Sequence, residues 1–300
     1  MRVDATKGTN GTNATTVVGT AAHGADDATA PDPEGRGQPA RRPLSARFPL
    51  LRQAEREARV WAQLWTGTVI TGIVNPLLFL GAMGLGLGSL VDARGQVEGF
   101  DYLVFVTPGI MAAAAVQSAA GASLWPVMGG MKWTKSFHAA VVTPLTPGDV
   151  YGGYLLWQGV RLAMDATVFV VVAALLGAVP SSWGVLAVPA AVAGGLALAA
   201  PLIAFSARQD SDVPFSVIMR ILVLPLYLFS GTFFPLDQLP AGLRPVAWVT
   251  PLWHAVELCR GATTGRLDLL PGLGHAAVLV AYIAVGSALG VRSFRSRLWA

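Results

Sequence analysis

The chain has 300 residues, of which 53% are hydrophobic and only 13% are charged. A soluble globular domain carries about 25% charged residues, so this composition leaves too little polar surface for a protein in water. It indicates an integral membrane protein whose apolar side chains face lipid. The net charge of +4 does not indicate nucleic-acid binding, because the basic residues flank apolar segments instead of clustering between aromatic residues.

Residues 1–43 are rich in Gly, Ala, Thr, Asp and Pro, and they lack the apolar segment that a signal peptide requires. Such a composition buries too little apolar surface to order itself. We therefore predict a disordered cytoplasmic tail over 1–43 and a membrane domain over 44–300. Within 44–65, apolar residues recur between arginines at three- and four-residue steps or their sums, which predicts an amphipathic helix at the cytoplasmic membrane interface. Its predicted apolar face comprises Leu44, Phe48, Leu51, Ala58, Trp61 and Trp65.

Six stretches reach the length of about 20 mostly apolar residues that a spanning helix requires. Their apolar residues are continuous, and only helices or closed barrels satisfy the backbone in lipid. The sequence therefore predicts an all-α integral membrane protein with six transmembrane helices. They cover 66–91, 102–128, 151–179, 185–207, 215–234 and 271–291.

Lysine and arginine concentrate in four places that share one side of a six-helix arrangement: before the first span, after the second, after the fourth and after the sixth. Positive residues favour the cytoplasmic side, so we predict that both termini lie in the cytoplasm. The opposite side has its basic residues mostly in 235–270. Four prolines divide that segment, which predicts short helices that re-enter the outer leaflet before the sixth span.

No motif for covalent chemistry stands out, and we predict no catalytic, cofactor or metal site. The segment 129–136 has two glycines and two lysines, but Thr134 occupies the position where a phosphate loop requires glycine before its lysine. ATP, if it is used, must then be bound by another chain. His254 and Glu257 lack further zinc ligands nearby, so we predict that they brace the external helices together with Arg260.

Arg161 and Asp165 are four residues apart on the third predicted span, which places them on one helix face within salt-bridge reach. This intramembrane pair has two interpretations. It is either a polar patch in a transport path or a structural pair near the cytoplasmic end of the helix.

Three segments resemble the membrane subunits of type 2 ABC exporters, most of all the branch of nodulation-type lipo-oligosaccharide exporters and drug-resistance exporters. They are 102–109, 143–149 and 229–261, and the last contains the run Pro-Leu-Trp-His from Pro251 and Glu-Leu-Cys-Arg from Glu257. The resemblance covers about 44–300.

The resemblance implies that two six-helix subunits, identical or homologous, assemble with two ATPase subunits in a bacterial plasma membrane. It implies ATPase contact by the loop after the second span, at Lys135, Thr143, Pro144, Leu145 and Asp149. It also implies an outer gate that includes Phe229, Gly231, Phe233, Phe234, Pro235, Pro251, Trp253, His254, Glu257 and Arg260.

The function that we expect is export of an amphipathic substrate: a lipid-linked saccharide, a lipid, or a hydrophobic drug or natural product. Ala255 stands where this branch is expected to have glycine, which leaves the substrate open. The alternative is a membrane-embedded enzyme of lipid or isoprenoid metabolism, for which Asp210 and Asp212 are the one close acidic pair. An ion-coupled carrier would require an inverted repeat and more intramembrane carboxylates.

Overall fold

The computed structural model describes residues 49–63, 74, 77–93, 95–238, 240, 242 and 244–299, and every regular element in these ranges is a helix. The predicted tail over 1–43 lies outside the described residues, as does most of the first half of the first predicted span. In chain order the helices are α1 Pro49–Trp61, α2 Leu77–Asp92, α3 Tyr102–Lys132, α4 Ser136–Val141, α5 Pro147–Leu175, α6 Ala187–Ser206, α7 Val213–Phe229, α8 Arg244–Val249, α9 Pro251–Thr264 and α10 Leu269–Leu298.

Four helices of the described chain are long and apolar enough to cross a bilayer: α3, α5, α10, and α6 together with the 3-10 turn that leads into it. These four match the second, third, sixth and fourth predicted spans. The helices α2 and α7 fall in the first and fifth predicted spans, but they are apolar helices of less than spanning length. Both contain a π-helical stretch, at Ala82–Gly88 and Ile218–Val223.

The helix ends gather at two opposite ends of the bundle. At one end, Lys132, the last residue of α3, donates to the backbone oxygen of Asp210, and Arg297 of α10 donates to the Asp210 carboxylate at 3.0 Å. At the other end, the Ser181 amide donates to the Thr263 carbonyl at 3.1 Å. Basic residues from the ends of separate helices are therefore grouped at one end, which we call the basic end.

The helix α6 lies at the centre of the bundle and contacts α3, α5, α9 and α10. Two adjacent glycines allow this close packing. A Cβ on Gly194 would lie 2.4 Å from the Cβ of Ala255 in α9, and one on Gly195 would lie 2.7 Å from Leu162 of α5. Because helices in lipid associate through van der Waals contact, small residues where backbones approach most closely stabilise the bundle.

The amphipathic helix predicted within 44–65 is present as α1, and Trp61 of its predicted apolar face packs against Trp157 of α5 with ring centroids 6.0 Å apart, but the rest of the buried face differs in part from the predicted one. Leu51, predicted on the apolar face, is exposed, whereas Gln53 is buried against α5. Leu50 contacts Gly152 and Gly153 of α5, where a Cβ would lie 2.6 Å and 2.5 Å from Leu50 atoms. This glycine pair lets α1 approach α5 along a face that periodicity alone did not identify.

We expect Gly194→Ala to destabilise the bundle, because the new methyl group would overlap Ala255 and separate α6 from α9. Overpacking of this kind costs about 1–3 kcal/mol. The loss would appear as a lower midpoint of thermal unfolding in detergent. Gly121→Ala in α3 is the matched control, because nothing lies within 4 Å of its Cβ position. Equal midpoints for the two variants would contradict this packing role.

Candidate functional site

Arg260 of α9 is the most connected charged residue in the 229–261 segment. Its guanidinium donates to Glu257 Oε1 at 2.9 Å and to the Gly231 carbonyl at 2.6 Å. It also lies over the ring of Phe105 in α3, 4.3 Å from the ring centroid. Arg260 is 9% exposed and Glu257 is half-buried, so a buried cation joins α3, α9 and the chain that leaves α7.

The turn after α7 fits against α3 because of two glycines. Gly231 has a φ of +74°, a left-handed conformation that glycine adopts without strain. On α3, a Cβ at Gly109 would lie 2.6 Å from the Thr232 carbonyl oxygen, so only a glycine allows the turn to approach this closely. The turn therefore presents the Gly231 carbonyl to Arg260 from a fixed position.

The predicted gate residues divide into a packed group and an exposed group. Phe233 packs against Phe79 of α2 and Tyr227 of α7, with ring centroids 6.5 Å and 5.3 Å apart, and Pro235 is buried. Phe234 is half-buried, whereas Phe229 is exposed at the end of α7. The structure thus brings Phe233 and Pro235 to one cluster and leaves Phe229 on the surface.

The chain from 251 onward is more continuous than its prolines suggested. Pro251 is the first residue of α9, where its missing N–H has no cost, and Thr250 accepts a hydrogen bond from the Trp253 amide at 3.4 Å. The result is one 14-residue helix. Short pieces do precede it, at Leu236–Gln238 and Arg244–Val249.

His254 pairs with a residue that sequence reasoning missed. Its Nδ1 lies 2.8 Å from Nδ1 of His275 in α10, and its Nε2 lies 2.9 Å from the Trp248 carbonyl. Trp253 packs against both imidazoles, with ring centroids 4.8 Å and 4.9 Å away. No local pattern connects two histidines that are 21 residues apart and lie on different helices.

At the basic end, the connection from α3 to the first turn of α5 contains α4 and the five residues expected to contact an ATPase. Lys135 is the N-cap residue before α4 and has a φ of +49°, which is unusual outside glycine. Thr143 donates to the Ala140 carbonyl at 2.6 Å. Asp149 caps α5: Thr146 Oγ1 accepts from the Asp149 amide, and the Asp149 carboxylate accepts from the Thr146 amide. The Thr-Pro-Gly-Asp sequence from Thr146 to Asp149 carries the signal for this cap.

Aromatic contacts hold α4 to the transmembrane bundle. Phe137 is buried, and its ring lies 5.6 Å from Tyr154 of α5 and 5.4 Å from Phe294 of α10. Tyr151 of α5 also packs against Phe294 at 5.5 Å. A displacement of α4 is therefore transmitted to both α5 and α10 by direct contact.

A cleft of about 210 Å³ opens at the basic end beside α4. Three cations and one carboxylate give it a positive balance, and the Nδ1 atom of His138 is buried in its wall without a hydrogen-bond partner in the described chain. The lining comprises Met131, Lys132, Lys135, His138, Ala207, Gln209, Asp210 and Arg297.

Arg161 and Asp165 do not form the ion pair that their spacing suggested. Arg161 donates instead to Gln158 Oε1 at 3.2 Å and to the Ser118 carbonyl of α3 at 3.3 Å. Arg161 also lies halfway along α5, so it is not near the cytoplasmic end of the helix. At that depth the half-buried guanidinium of Arg161 finds a hydrogen-bond acceptor on the backbone of the neighbouring helix, because the Ser118 carbonyl is within its reach.

Comparison with known proteins identifies a family and several relatives. Residues 52–263 match the family described as ABC-2 type transporter. Nodulation protein J of Rhizobium leguminosarum bv. viciae is 29% identical over 79% of this chain and 90% of its own length. The Rhizobium meliloti protein of the same name is 28% identical over 79% and 89%. The inner membrane transport permease YadH of Escherichia coli K12 is 25% identical over 77% and 87%.

We expect Arg260→Met to destabilise the protein, because the buried Gly231 carbonyl would lose its donor and the half-buried Glu257 would lose its ion-pair partner. Leaving a buried acceptor without its donor costs about 1–3 kcal/mol. Chemical unfolding in detergent measures this loss. The control is Arg266→Met, since Arg266 also lies over a phenylalanine ring but is exposed, and surface substitutions stay within about 0.5 kcal/mol. Similar losses in the two variants would refute the anchoring role of Arg260.

Proposed function

This chain belongs to the ABC-2 type transporter family, and we propose that it is a membrane subunit of an ABC exporter in which a separate chain binds and hydrolyses ATP. The observation that carries this proposal is the match over 52–263, which includes both the α4 loop and the 229–261 segment. The chain itself would perform no covalent chemistry.

The proposed topology has six spans, with α2 and α7 completing the four long helices. Its support is the grouping of loop residues at the two ends of the bundle: Lys132, Asp210 and Arg297 meet at one end, and Ser181 meets Thr263 at the other. Because positive residues favour the cytoplasmic side, the basic end and both termini would face the cytoplasm.

In this arrangement the ATPase would bind α4 and the short loops on both sides of it. Their surface carries exposed apolar side chains, Trp133 before α4 and Val142 after it, together with exposed Lys135. Phe137 anchors the opposite face of α4 to α5 and α10. A push on α4 by the ATPase would therefore move two spanning helices.

The 229–261 segment would close the path on the outer side. Arg260 fixes the turn at Gly231 to α9 and α3, so these parts would move together when the two permease subunits separate. The substrate would be amphipathic, with a saccharide or other polar group and an apolar part. The alternative of a lipid-metabolising enzyme has little support from Asp210, which already accepts from Arg297.

We place the contact with a second permease subunit at α7. Its outward side chains are apolar, with Val217 and Ile221 50% and 72% exposed. Arg220 is also exposed in the midst of this apolar helix and has no hydrogen bond or ion pair among the described residues. A cation at such a position is costly against lipid, so protein or a wet cavity should cover it.

Charge reversal at Lys135 tests the ATPase contact. Aspartate tolerates the left-handed backbone conformation at position 135, so Lys135→Asp should preserve the fold while it reverses the charge at this surface position. We expect co-purification of the ATPase subunit to fall at least several-fold. Arg266→Asp, at the opposite end, should leave co-purification unchanged. If both variants retain the ATPase equally, the proposed binding surface is wrong.

Cross-linking tests the dimer contact. With Cys259 replaced by alanine, a single cysteine at Ile221 should form a disulfide-linked dimer in membranes under mild oxidation, because α7 would face its copy. A cysteine at Val280 of α10, which is 62% exposed, is the control and should remain monomeric. Efficient cross-linking at 280 but not at 221 would move the interface to α10.

A further inference from the structure

The hydrogen bonds around His254 determine where its protons lie. The Trp248 carbonyl can only accept, so the His254 nitrogen 2.9 Å from it, Nε2, must carry a hydrogen. In neutral His254 the other nitrogen, Nδ1, is then an acceptor. His275 Nδ1, at 2.8 Å, must therefore donate, which leaves His275 Nε2 as the unprotonated nitrogen of the pair.

This proton arrangement tolerates one additional proton but not two. The first additional proton binds His275 Nε2. The hydrogen bond between the two rings remains, and its donor is then a positively charged imidazolium instead of a neutral imidazole. A second must bind His254 Nδ1, which places two N–H groups against each other and two positive rings with centroids 5.0 Å apart. Both changes disfavour the present contact, because the hydrogen bond is lost and like charges repel.

The pair joins the start of α9 to α10. Among the described residues, few other polar contacts connect these two parts of the chain. Tyr282 of α10 donates to the Val249 carbonyl at 2.7 Å, one residue after Trp248. Trp253 covers both imidazoles and limits their access to water. Loss of the ring–ring bond would leave Tyr282 and apolar contacts to hold this junction.

The titratable groups around the pair are few. Glu257 is the one whose charge reaches His254. Burial, and after it the neighbouring His275, holds the pKa of His254 below its ordinary value, while Glu257 partly offsets this. The other ionisable residues on α9 and the elements packed against it are Cys259 and Arg260 on α9 itself, Arg244 on α8, Tyr102 and Lys132 on α3, and Asp268, Tyr282, Arg292, Arg295 and Arg297 at or on α10; α6 has none. Lys132 and the three arginines of α10 lie toward the basic end, away from the pair.

We propose that His254 and His275 form a proton-operated latch between α9 and α10. The latch is closed while the pair holds at most one additional proton, and a second proton opens it. Its stabilisation is complete above the ordinary histidine pKa of about 6.5 and is lost as pH falls below that value. The latch exists whichever side of the membrane it faces; that it senses external pH rests on the orientation in the proposed function.

The test is thermal unfolding of the full chain in nanodiscs at pH 7.5 and pH 5.5. The wild type should lose about 2–4 °C more over this interval than His275→Asn, whose amide occupies the Nδ1 position and donates to His254 but does not titrate. His275→Phe keeps the ring against Trp253 without the bond, so its midpoint should be low at both pH values.

The matched control is His138→Asn, which removes a histidine from the other end of the bundle and should retain the full wild-type loss. An equal loss in the wild type and His275→Asn would overturn the proposal. Disappearance of the loss in His138→Asn would also overturn it, because the pH response would then originate at the basic end. These outcomes do not depend on ATPase binding, so they are independent of the proposed function.

Discussion

The close approach of four helices to α6 is the constraint on which the rest of the bundle depends. Inside lipid there is no hydrophobic driving force between helices, so their association depends on how closely their backbones can approach each other. Gly194 and Gly195 remove the side chains that would separate α6 from α9 and α5. The position of α9 then decides where Arg260 and His254 point. A packing detail in the middle of the bundle thus sets the geometry of its end.

Arg260 converts that position into a connection between elements that are far apart in sequence. Acceptors stabilise this buried guanidinium: its Nη1 donates to Glu257 in its own helix and its Nη2 to Gly231 in the preceding turn, while Nε has no hydrogen-bond partner among the described residues. At the basic end, Phe137 has a similar linking role through apolar contact with α5 and α10. The two ends differ in chemistry, because one is held by a buried charge and the other by aromatic rings in edge-on and tilted contact.

Much of the helical layout was predictable, because long apolar runs in a membrane protein have few alternatives to a helix. The cap formed by Thr146 and Asp149 was also readable, since capping is a local pattern of four residues. The partner of Arg161 was not. Its spacing to Asp165 allowed a salt bridge, yet the nearer acceptors were Gln158 and a carbonyl on α3, and only the crossing of the two helices brings that carbonyl within reach.

The sequence by itself determined the membrane environment, the helical class and the resemblance to type 2 ABC exporters, because scarcity of charge, apolar run length and local motifs are all properties of short windows. Only the tertiary structure decided which faces meet. The buried face of α1, the pairing of His254 with His275 and the position of Arg161 halfway along α5 all depend on how helices cross. Those crossings are set by small residues in contact across the bundle, and their partners cannot be identified from spacing along the chain.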